Sequence, residues 1–191
     1  MLEALKQLDT NIFLFLNNLH SPVWDEIMVW ISGKYTWWPF YLIIILYIIW
    51  KFRLHAIFII IGIALVVTIS DQSSVHLFKE VFQRLRPCHN QNIQHLVHVV
   101  DGCGGKFGFV SSHASNAFAA ATFICYMLRN RYITFIMITW AVLVSYSRVY
   151  LGVHYTGDII GGALLGWLIG YAVYHLYLYI FKIFADNKKY A

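Results

Sequence analysis

The chain has 191 residues, of which 60% are hydrophobic and only 12% are charged, and its formal net charge is +5. The charged share is about half of that in a typical soluble protein, so too little polar surface remains to cover a soluble globular domain. The length suits a single domain, residues 1–191, and the basic residues are too dispersed among apolar runs to predict a nucleic-acid-binding protein.

The N-terminal part of the chain, residues 1–20, is predicted to form an amphipathic helix, because apolar residues recur mostly three and four apart. Asp25 and Glu26 begin a second short segment that ends near Gly33. Residues 11–33 either cross the bilayer or lie along its surface. No basic region followed by an apolar run opens the chain, so membrane targeting is expected to come from the spans themselves.

Five apolar stretches predict membrane-spanning helices, because the hydrocarbon core of a bilayer is about 30 Å thick and takes about 20 residues of helix. They cover residues 36–50, 54–80, 113–129, 132–150 and 154–181. The expected fold class is therefore all-α, a polytopic membrane helix bundle.

Basic residues lie in alternate connections between these stretches, as the positive-inside rule predicts for cytoplasmic loops. Lys51 and Arg53 lie in one such connection, and Arg129 and Arg131 lie in another. The end of the chain carries three more: Lys182, Lys188 and Lys189. With these basic connections on the cytoplasmic side, residues 83–112 are expected to form an external loop.

Two cysteines, Cys88 and Cys103, lie in this external loop. A disulfide between them is favoured over two unpaired thiols. An oxidising exterior such as a periplasm permits the bond, and closing a loop stabilises the fold.

Three glycines in the last predicted span, Gly162, Gly166 and Gly170, are spaced by four residues. Small residues at this spacing allow two helices to approach closely. Packing within the chain is favoured over a dimer interface.

Three polar clusters interrupt the apolar sequence. They are Lys79-x6-Arg86-Pro87, Ser111-Ser112-His113 and Ser147-Arg148-x5-His154-x3-Asp158. Ionisable groups at membrane boundaries are costly, so such a set predicts a functional site. The clusters are far apart in sequence, but the predicted topology brings all three to the external face.

His154 and Asp158 are four residues apart and therefore share one face of a helix. An aspartate at this position can accept the proton of one imidazole nitrogen and leave a lone pair on the other, as a nucleophilic histidine requires. The alternative is a histidine at a helix start with a stabilising aspartate in the first turn. The nearby Arg148 favours the functional interpretation.

Lys79, Arg86 and Arg148 supply hydrogen-bond donors for the oxygens of a phosphoryl group. Ser111 can add a hydroxyl, and His113 can protonate a leaving oxygen as a general acid. Taken singly, each cation could instead be an interfacial residue whose charged end reaches water.

The loop histidines are His89, His95 and His98, with Asp101 nearby. Their spacing matches no usual zinc pattern. The sequence therefore predicts neither a metal nor a cofactor.

Together the three clusters resemble the three-part signature of the type 2 phosphatidic acid phosphatases, a superfamily of membrane lipid phosphatases, over roughly residues 20–180. The resemblance implies a phosphohistidine on His154, with Asp158 as its partner and His113 as general acid. It also implies a metal-free enzyme with about six spans, so that part of residues 11–33 would be a first span or half-span and the N-terminus would lie inside. The phosphate-binding residues would be Lys79, Arg86, Ser111 and Arg148.

The second cluster departs from the Pro-Ser-Gly-His pattern of the family, because Val110 and Ser112 replace the proline and the glycine. Glycine allows backbone conformations that serine disfavours, so the path of this loop is expected to differ. The catalytic side chains are all retained, which predicts activity with a changed head-group pocket.

The resemblance narrows the substrate to a lipid phosphate or pyrophosphate at the outer leaflet of a bacterial inner membrane, with the active site facing the periplasm. Undecaprenyl pyrophosphate is favoured, and lipid A phosphates and phosphatidylglycerol phosphate are the alternatives. A transporter or flippase for polyprenyl phosphates is the rival from another class, but it needs no His-Asp pair with a second histidine. A vanadate-dependent peroxidase is a further rival, against which the membrane embedding argues.

Overall fold

The computed structural model describes residues 2–187, with side chains over residues 3–182. Two of the lysines predicted to be cytoplasmic, Lys188 and Lys189, and the first residue of the predicted N-terminal helix lie outside the described residues. The described residues form helices joined by turns and one long loop, so the all-α prediction is confirmed.

The helices follow the predicted stretches closely. They are α1 (Leu2–Asn17), α2 (Pro22–Ser32), α3 (Trp38–Phe52), α4 (Ala56–Gln72), α5 (Glu80–Phe82), α6 (Ser112–Leu128), α7 (Arg131–Tyr150) and α8 (Thr156–Asn187). A π-helical segment, Ser73–Lys79, joins α4 to α5. The long loop between α5 and α6 is the predicted loop 83–112, shortened by one residue because Ser112 begins α6.

Three helical stretches in the described part of the chain are long and apolar enough to cross a membrane: Trp38–Phe82, Arg131–Tyr150 and Thr156–Lys182. The first is interrupted at Arg53, whose φ of 53° and ψ of −125° turn the chain back. Trp37 and Phe40, around the start of α3, line the same cavity as Val67 and Asp71, near the end of α4. The stretch is therefore an antiparallel pair of helices, as the two separate predicted spans require.

Helix α6 lies at the centre of the bundle, packed against α4, α7 and α8. A Cβ atom added at Gly162 would lie 2.6 Å from the carbonyl oxygen of Ser111, and one at Gly170 would lie 2.6 Å from that of Ala119. Both contacts are too short for a side chain, so the glycines let α8 approach α6 closely. The predicted packing within the chain is confirmed.

Helix α1 lies across one end of the bundle. Asp9 accepts a hydrogen bond from the backbone N–H of Gly157, and Asn17 donates to the carbonyl oxygen of Tyr150 at 2.7 Å. These residues are eight apart along α1, yet both contact the same short connection between α7 and α8.

Helix α2 lies at the same end, where Met28 and Ile31 pack against Tyr150, Leu151 and Val153. Its 11 residues extend about 16 Å, roughly half of the hydrocarbon thickness. This length fits the expected half-span within residues 11–33 and not a full first span. Because α1 and α2 are both held at this end, the expected N-terminus on the far side of the bundle is not found in the described residues. The chain breaks before Pro22, which divides the apolar residues between two helices that are each held at this end.

The loop between α5 and α6 folds back over the same end of the bundle. The backbone N–H of Arg86 donates to the carbonyl oxygen of Lys106, and that of Gly108 donates to Arg84. The structure joins Cys88 and Cys103 in a disulfide with a Cα–Cα distance of 5.9 Å. These links hold the two arms of the loop together beside the ends of α6 and α8.

Candidate active site

The three polar clusters of the sequence come together at one end of the bundle. Lys79 ends the π-helical segment, and His113 and Arg148 lie at the ends of α6 and α7. The charges of Lys79, Arg86 and Arg148 all act on His154, in the turn before α8. The same cations and His154 surround His113. The folded chain thus brings together side chains that the predicted topology places at a common face.

His154 and Asp158 form the buried floor of this site, with exposed fractions of 1% and 0%. Their closest atoms, Nδ1 of His154 and Oδ2 of Asp158, are 3.4 Å apart. Asp158 Oδ2 also accepts a hydrogen bond from the backbone N–H of Tyr155 at 3.1 Å. A Cβ atom added at Gly108 would lie 2.8 Å from the same oxygen, so the loop backbone packs directly against the His154–Asp158 pair. The carboxylate is held where it can orient the imidazole.

The surroundings of His154 favour the neutral imidazole. Burial lowers its pKa well below the ordinary value, and the positive charges of Arg86, Arg148 and Lys79 lower it further. A neutral imidazole with one nitrogen directed to Asp158 keeps a lone pair on the other nitrogen. That is the state in which a histidine can attack an electrophile.

Arg84 and Asp9 also belong to this site, although neither was predicted from the sequence to have a role. Arg84 donates from Nη1 to Asp158 Oδ1 at 2.9 Å and from Nη2 to Asp9 Oδ2 at 2.8 Å. Its guanidinium also lies over the ring of Tyr155, 4.0 Å from the centroid. Arg84 thereby places a positive charge directly against the Asp158 carboxyl group. The only signal in the sequence is that Arg84 lies two residues before Arg86.

The two arginines of the site are held by different contacts. Arg86 donates from Nη1 to Cys103 O at 2.9 Å and from Nε to Phe107 O at 3.3 Å. Burial lowers the pKa of Arg86 and Asp158 opposes that shift, but an arginine remains charged at ordinary pH. Arg148 donates from Nη1 to Ser32 Oγ on α2, which ties this short helix to the site.

Two polar atoms at the site are buried without a protein partner. Neither Arg148 Nε nor Ser111 Oγ makes a hydrogen bond with any residue that the structure describes. Buried polar atoms are normally satisfied, so an unpaired one calls for an explanation such as a catalytic role or a bound ion. One atom is a donor and the other can donate, which suits the oxygens of an anion.

Ser112, one of the two departures from the expected motif, takes part in a chain of short contacts. Lys79 Nζ donates to Ser112 Oγ at 2.6 Å, and Ser74 Oγ lies 2.6 Å from the same oxygen. Lys79 and Ser74 are five residues apart, and the i to i+5 bonding of a π-helix brings such residues nearer to one face than an α-helix does. Ser112 therefore positions Lys79, a contact that a glycine could not make. Val110, the other departure, is 1% exposed and packs against α8 at Gly161.

A cavity of about 560 Å³ opens beside His113, between α3, α4, α6 and α7. Its wall is mainly apolar, and Ser112 and His113 form part of it. A cavity of this kind next to an anion site accommodates the apolar part of an amphipathic molecule.

Three potential metal ligands, His20, Asp25 and His98, place their donor atoms within 4.8 Å of one another. The ring of His20 stacks on that of His98 with the centroids 3.7 Å apart. His98 Nε2 lies 3.0 Å from Asp25, which also accepts from the hydroxyl of Tyr150 at 2.7 Å. Burial acts to raise the pKa of Asp25, but the hydrogen bonds of Tyr150 and His98 outweigh it and hold that pKa below its usual value. The spacing of the loop histidines could not predict this group, because His20 and Asp25 lie in the N-terminal part of the chain and only His98 lies in the loop between α5 and α6.

The sequence as a whole matches known proteins. A family model described as the PAP2 superfamily matches residues 55–182. The lipid A 4'-phosphatase of Bacteroides thetaiotaomicron is 38% identical over 179 residues, which cover 92% of this chain and 80% of that protein. The undecaprenyl-diphosphatase BcrC of Bacillus subtilis is 30% identical over 159 residues, which cover 80% of this chain and 74% of that protein.

The fold matches a solved structure of the same kind. The crystal structure of a transmembrane PAP2 type phosphatidylglycerolphosphate phosphatase from Bacillus subtilis aligns with a TM-score of 0.71 and 25% identity. The alignment covers 91% of this chain and 86% of that one. The arrangement of helices around the site is therefore shared with a membrane phosphatase.

Proposed function

The chain belongs to the PAP2 superfamily, and from this premise we propose that it removes a phosphate from lipid A. It is a membrane phosphatase that acts on lipid phosphates. The finer assignment is supported by the relative with 38% identity, which is a lipid A 4'-phosphatase. The undecaprenyl-diphosphatase is only 30% identical. The comparison therefore favours lipid A, the alternative substrate, over undecaprenyl pyrophosphate. Membership of a phosphatase family also favours an enzyme over a transporter.

The observation that carries the mechanism is the buried His154–Asp158 pair, at the same end of the bundle as two unsatisfied polar atoms, Arg148 Nε and Ser111 Oγ. In the proposed reaction, these two groups with Lys79 and Arg86 hold the phosphate oxygens. The His154 lone pair attacks phosphorus in line, and the bond to the leaving oxygen breaks.

His113 completes the reaction by giving a proton to the departing oxygen. His113, now neutral, takes a proton from a water molecule whose oxygen attacks the phosphohistidine. The P–N bond breaks, which releases inorganic phosphate and restores the His154 imidazole and the protonated His113. The three cations neutralise the charge that spreads over the phosphoryl oxygens in the transition state. We propose that this protein charge is sufficient and that no metal takes part.

We also propose that the site faces the periplasm of a bacterial inner membrane. The disulfide between Cys88 and Cys103 lies at the site end of the bundle, and disulfides persist on the oxidising side of a membrane. The basic connections at Lys51 and Arg131 lie at the opposite helix ends, which the positive-inside rule places in the cytoplasm.

The test is phosphate release by the detergent-purified protein in EDTA from lipid A, undecaprenyl diphosphate, phosphatidylglycerol phosphate and phosphatidic acid. We expect the highest kcat/KM for lipid A, full activity in the chelator, and inhibition by vanadate, which imitates five-coordinate phosphorus. A higher kcat/KM for another lipid would contradict the substrate assignment. Activity that chelation removes and a divalent cation restores would contradict the metal-free mechanism.

The pH dependence of kcat/KM should show an acid limb whose midpoint lies below the ordinary histidine pKa of about 6.5. His154 must be neutral to attack, and its lowered pKa keeps it neutral as the pH falls through that value. The substrate phosphate also ionises near pH 6, so the profile is repeated with an analogue whose phosphate is more acidic. A midpoint at or above the ordinary histidine value with both substrates would contradict a neutral, buried nucleophile.

A further inference from the structure

The cavity beside His113 contains polar side chains whose hydrogen-bonding capacity is only partly used. Asn116 lies three residues after His113 on α6 and donates from Nδ2 to Asp71 Oδ1 on α4, 3.1 Å away. Asn116 Oδ1 is buried and accepts no hydrogen bond from the described residues. Both side chains line the cavity. A carboxylate and an amide inside a membrane helix bundle are costly, so their presence indicates a function.

A third polar group lies deeper in the same wall. Trp140 Nε1 is a buried N–H donor, and within the described part of the chain it has no acceptor. Trp140 comes eight residues before Arg148 on α7, which places it about 12 Å further along the helix axis. The wall of the cavity also includes Tyr41, whose ring packs against Trp140, and apolar residues such as Ile44 and Ile63.

The leaving group of the proposed reaction must enter this cavity. His113, the proposed proton donor to the departing oxygen, forms part of the wall, and Ser112 next to it holds Lys79. A phosphoryl group placed between His154 and His113 for in-line attack directs its leaving oxygen toward His113. The carbon skeleton attached to that oxygen then meets Asn116 and Asp71 first and Trp140 further in.

Resting on the proposed function, we infer that Asp71, Asn116 and Trp140 recognise the leaving group as an acylated sugar or an acylated glycerol. Asp71 and Asn116 Oδ1 accept hydrogen bonds from hydroxyl or amide N–H groups of the polyol. Trp140 Nε1 donates to the carbonyl oxygen of an acyl chain. An isoprenoid chain is hydrocarbon beyond its phosphate, so it leaves Asn116 Oδ1 and Trp140 Nε1 unpaired. The cavity therefore discriminates against polyprenyl phosphates, because an unpaired buried polar group weakens binding.

The test compares kcat/KM for lipid A with kcat/KM for undecaprenyl diphosphate, using the full-length protein in detergent. Asn116→Leu should lower the ratio of the two by about 10-fold, the worth of one to two hydrogen bonds. Trp140→Phe keeps an aromatic ring but removes the N–H, and it should lower the ratio by a smaller factor. Val67→Ala removes only apolar contact from the same wall, so this matched control should keep the wild-type ratio.

Variants at Asn116 and Trp140 that lower both rates by one common factor, or leave both rates unchanged, would overturn the inference. Trp140→Phe is the more conservative change and gives a ratio even if Asn116→Leu fails to fold. The proposed function fails separately, if the wild type releases no phosphate from lipid A. If the wild type cleaves phosphatidylglycerol phosphate instead, this acylated glycerol lipid takes the place of lipid A in the test. The inference is then decided by the ratio of kcat/KM for phosphatidylglycerol phosphate to kcat/KM for undecaprenyl diphosphate in the same variants. Cleavage of undecaprenyl diphosphate alone would refute both.

Discussion

Replacing His154 with glutamine should abolish phosphate release from every lipid, lowering kcat by about 10⁴-fold or more, because glutamine cannot form the covalent intermediate. The wild type, quenched during turnover of a labelled substrate, should carry phosphate in an acid-labile, base-stable linkage, as expected of phosphohistidine. His154→Gln should carry none. The variant keeps a polar side chain of similar length in a site where the histidine is 1% exposed, so loss of folding is a weak explanation for the result.

The matched control is His95→Gln, the same change at an exposed histidine in the loop at the same end of the bundle. It should keep wild-type phosphate release and wild-type labelling. If the label instead persisted in His154→Gln, the nucleophile would be another residue, and His113 would be the first to examine.

Replacing Arg148 with lysine should lower kcat/KM by about 100-fold or more, although the positive charge is kept. The guanidinium donates from Nη1 to Ser32 and still has Nε without a protein partner, so it can hold α2 and the phosphate together. A lysine has a single nitrogen and cannot serve both positions. The measurement is kcat and KM for lipid A beside the thermal stability in detergent.

Arg131→Lys is the control for this change, because Arg131 lies at the opposite end of the same helix and is exposed. It should leave kcat/KM at the wild-type value. An Arg148→Lys variant with full activity would show that charge alone is required at this position. An equal loss in Arg131→Lys would show that the loss is not specific to the site, and either result would contradict the role of Arg148 in joining α2 to the phosphate.

The positions of the helices and the side chains of the three polar clusters could be predicted from the sequence, because both depend on short-range periodicity. A spacing of four places His154 and Asp158 on one helical face. The alternation of basic connections assigns Lys79, His113 and Arg148 to one end before any coordinates are known. The small-residue pattern of α8 likewise predicts close packing, since only glycine fits against the carbonyl oxygens of Ser111 and Ala119.

The N-terminal region shows where such patterns stop being informative. An amphipathic helix has the same periodicity whether it spans a bundle or lies across its end. The hydrogen bonds of Asp9 and Asn17 decide between the two, and they depend on partners more than 80 positions away in sequence at Gly157 and Tyr150. For this reason the sequence could not distinguish a full first span from a half-span.

By itself, the sequence determined that this protein is a membrane helix bundle, and it predicted an active site of seven polar side chains at one end. Only the tertiary structure decided that Arg84 and Asp9 support Asp158, and that Asp71, Asn116 and Trp140 share one cavity. Helical periodicity and the distribution of charge act along the chain and can be recognised in it. Contacts between distant segments depend on how the helices pack in three dimensions, and no local pattern records them.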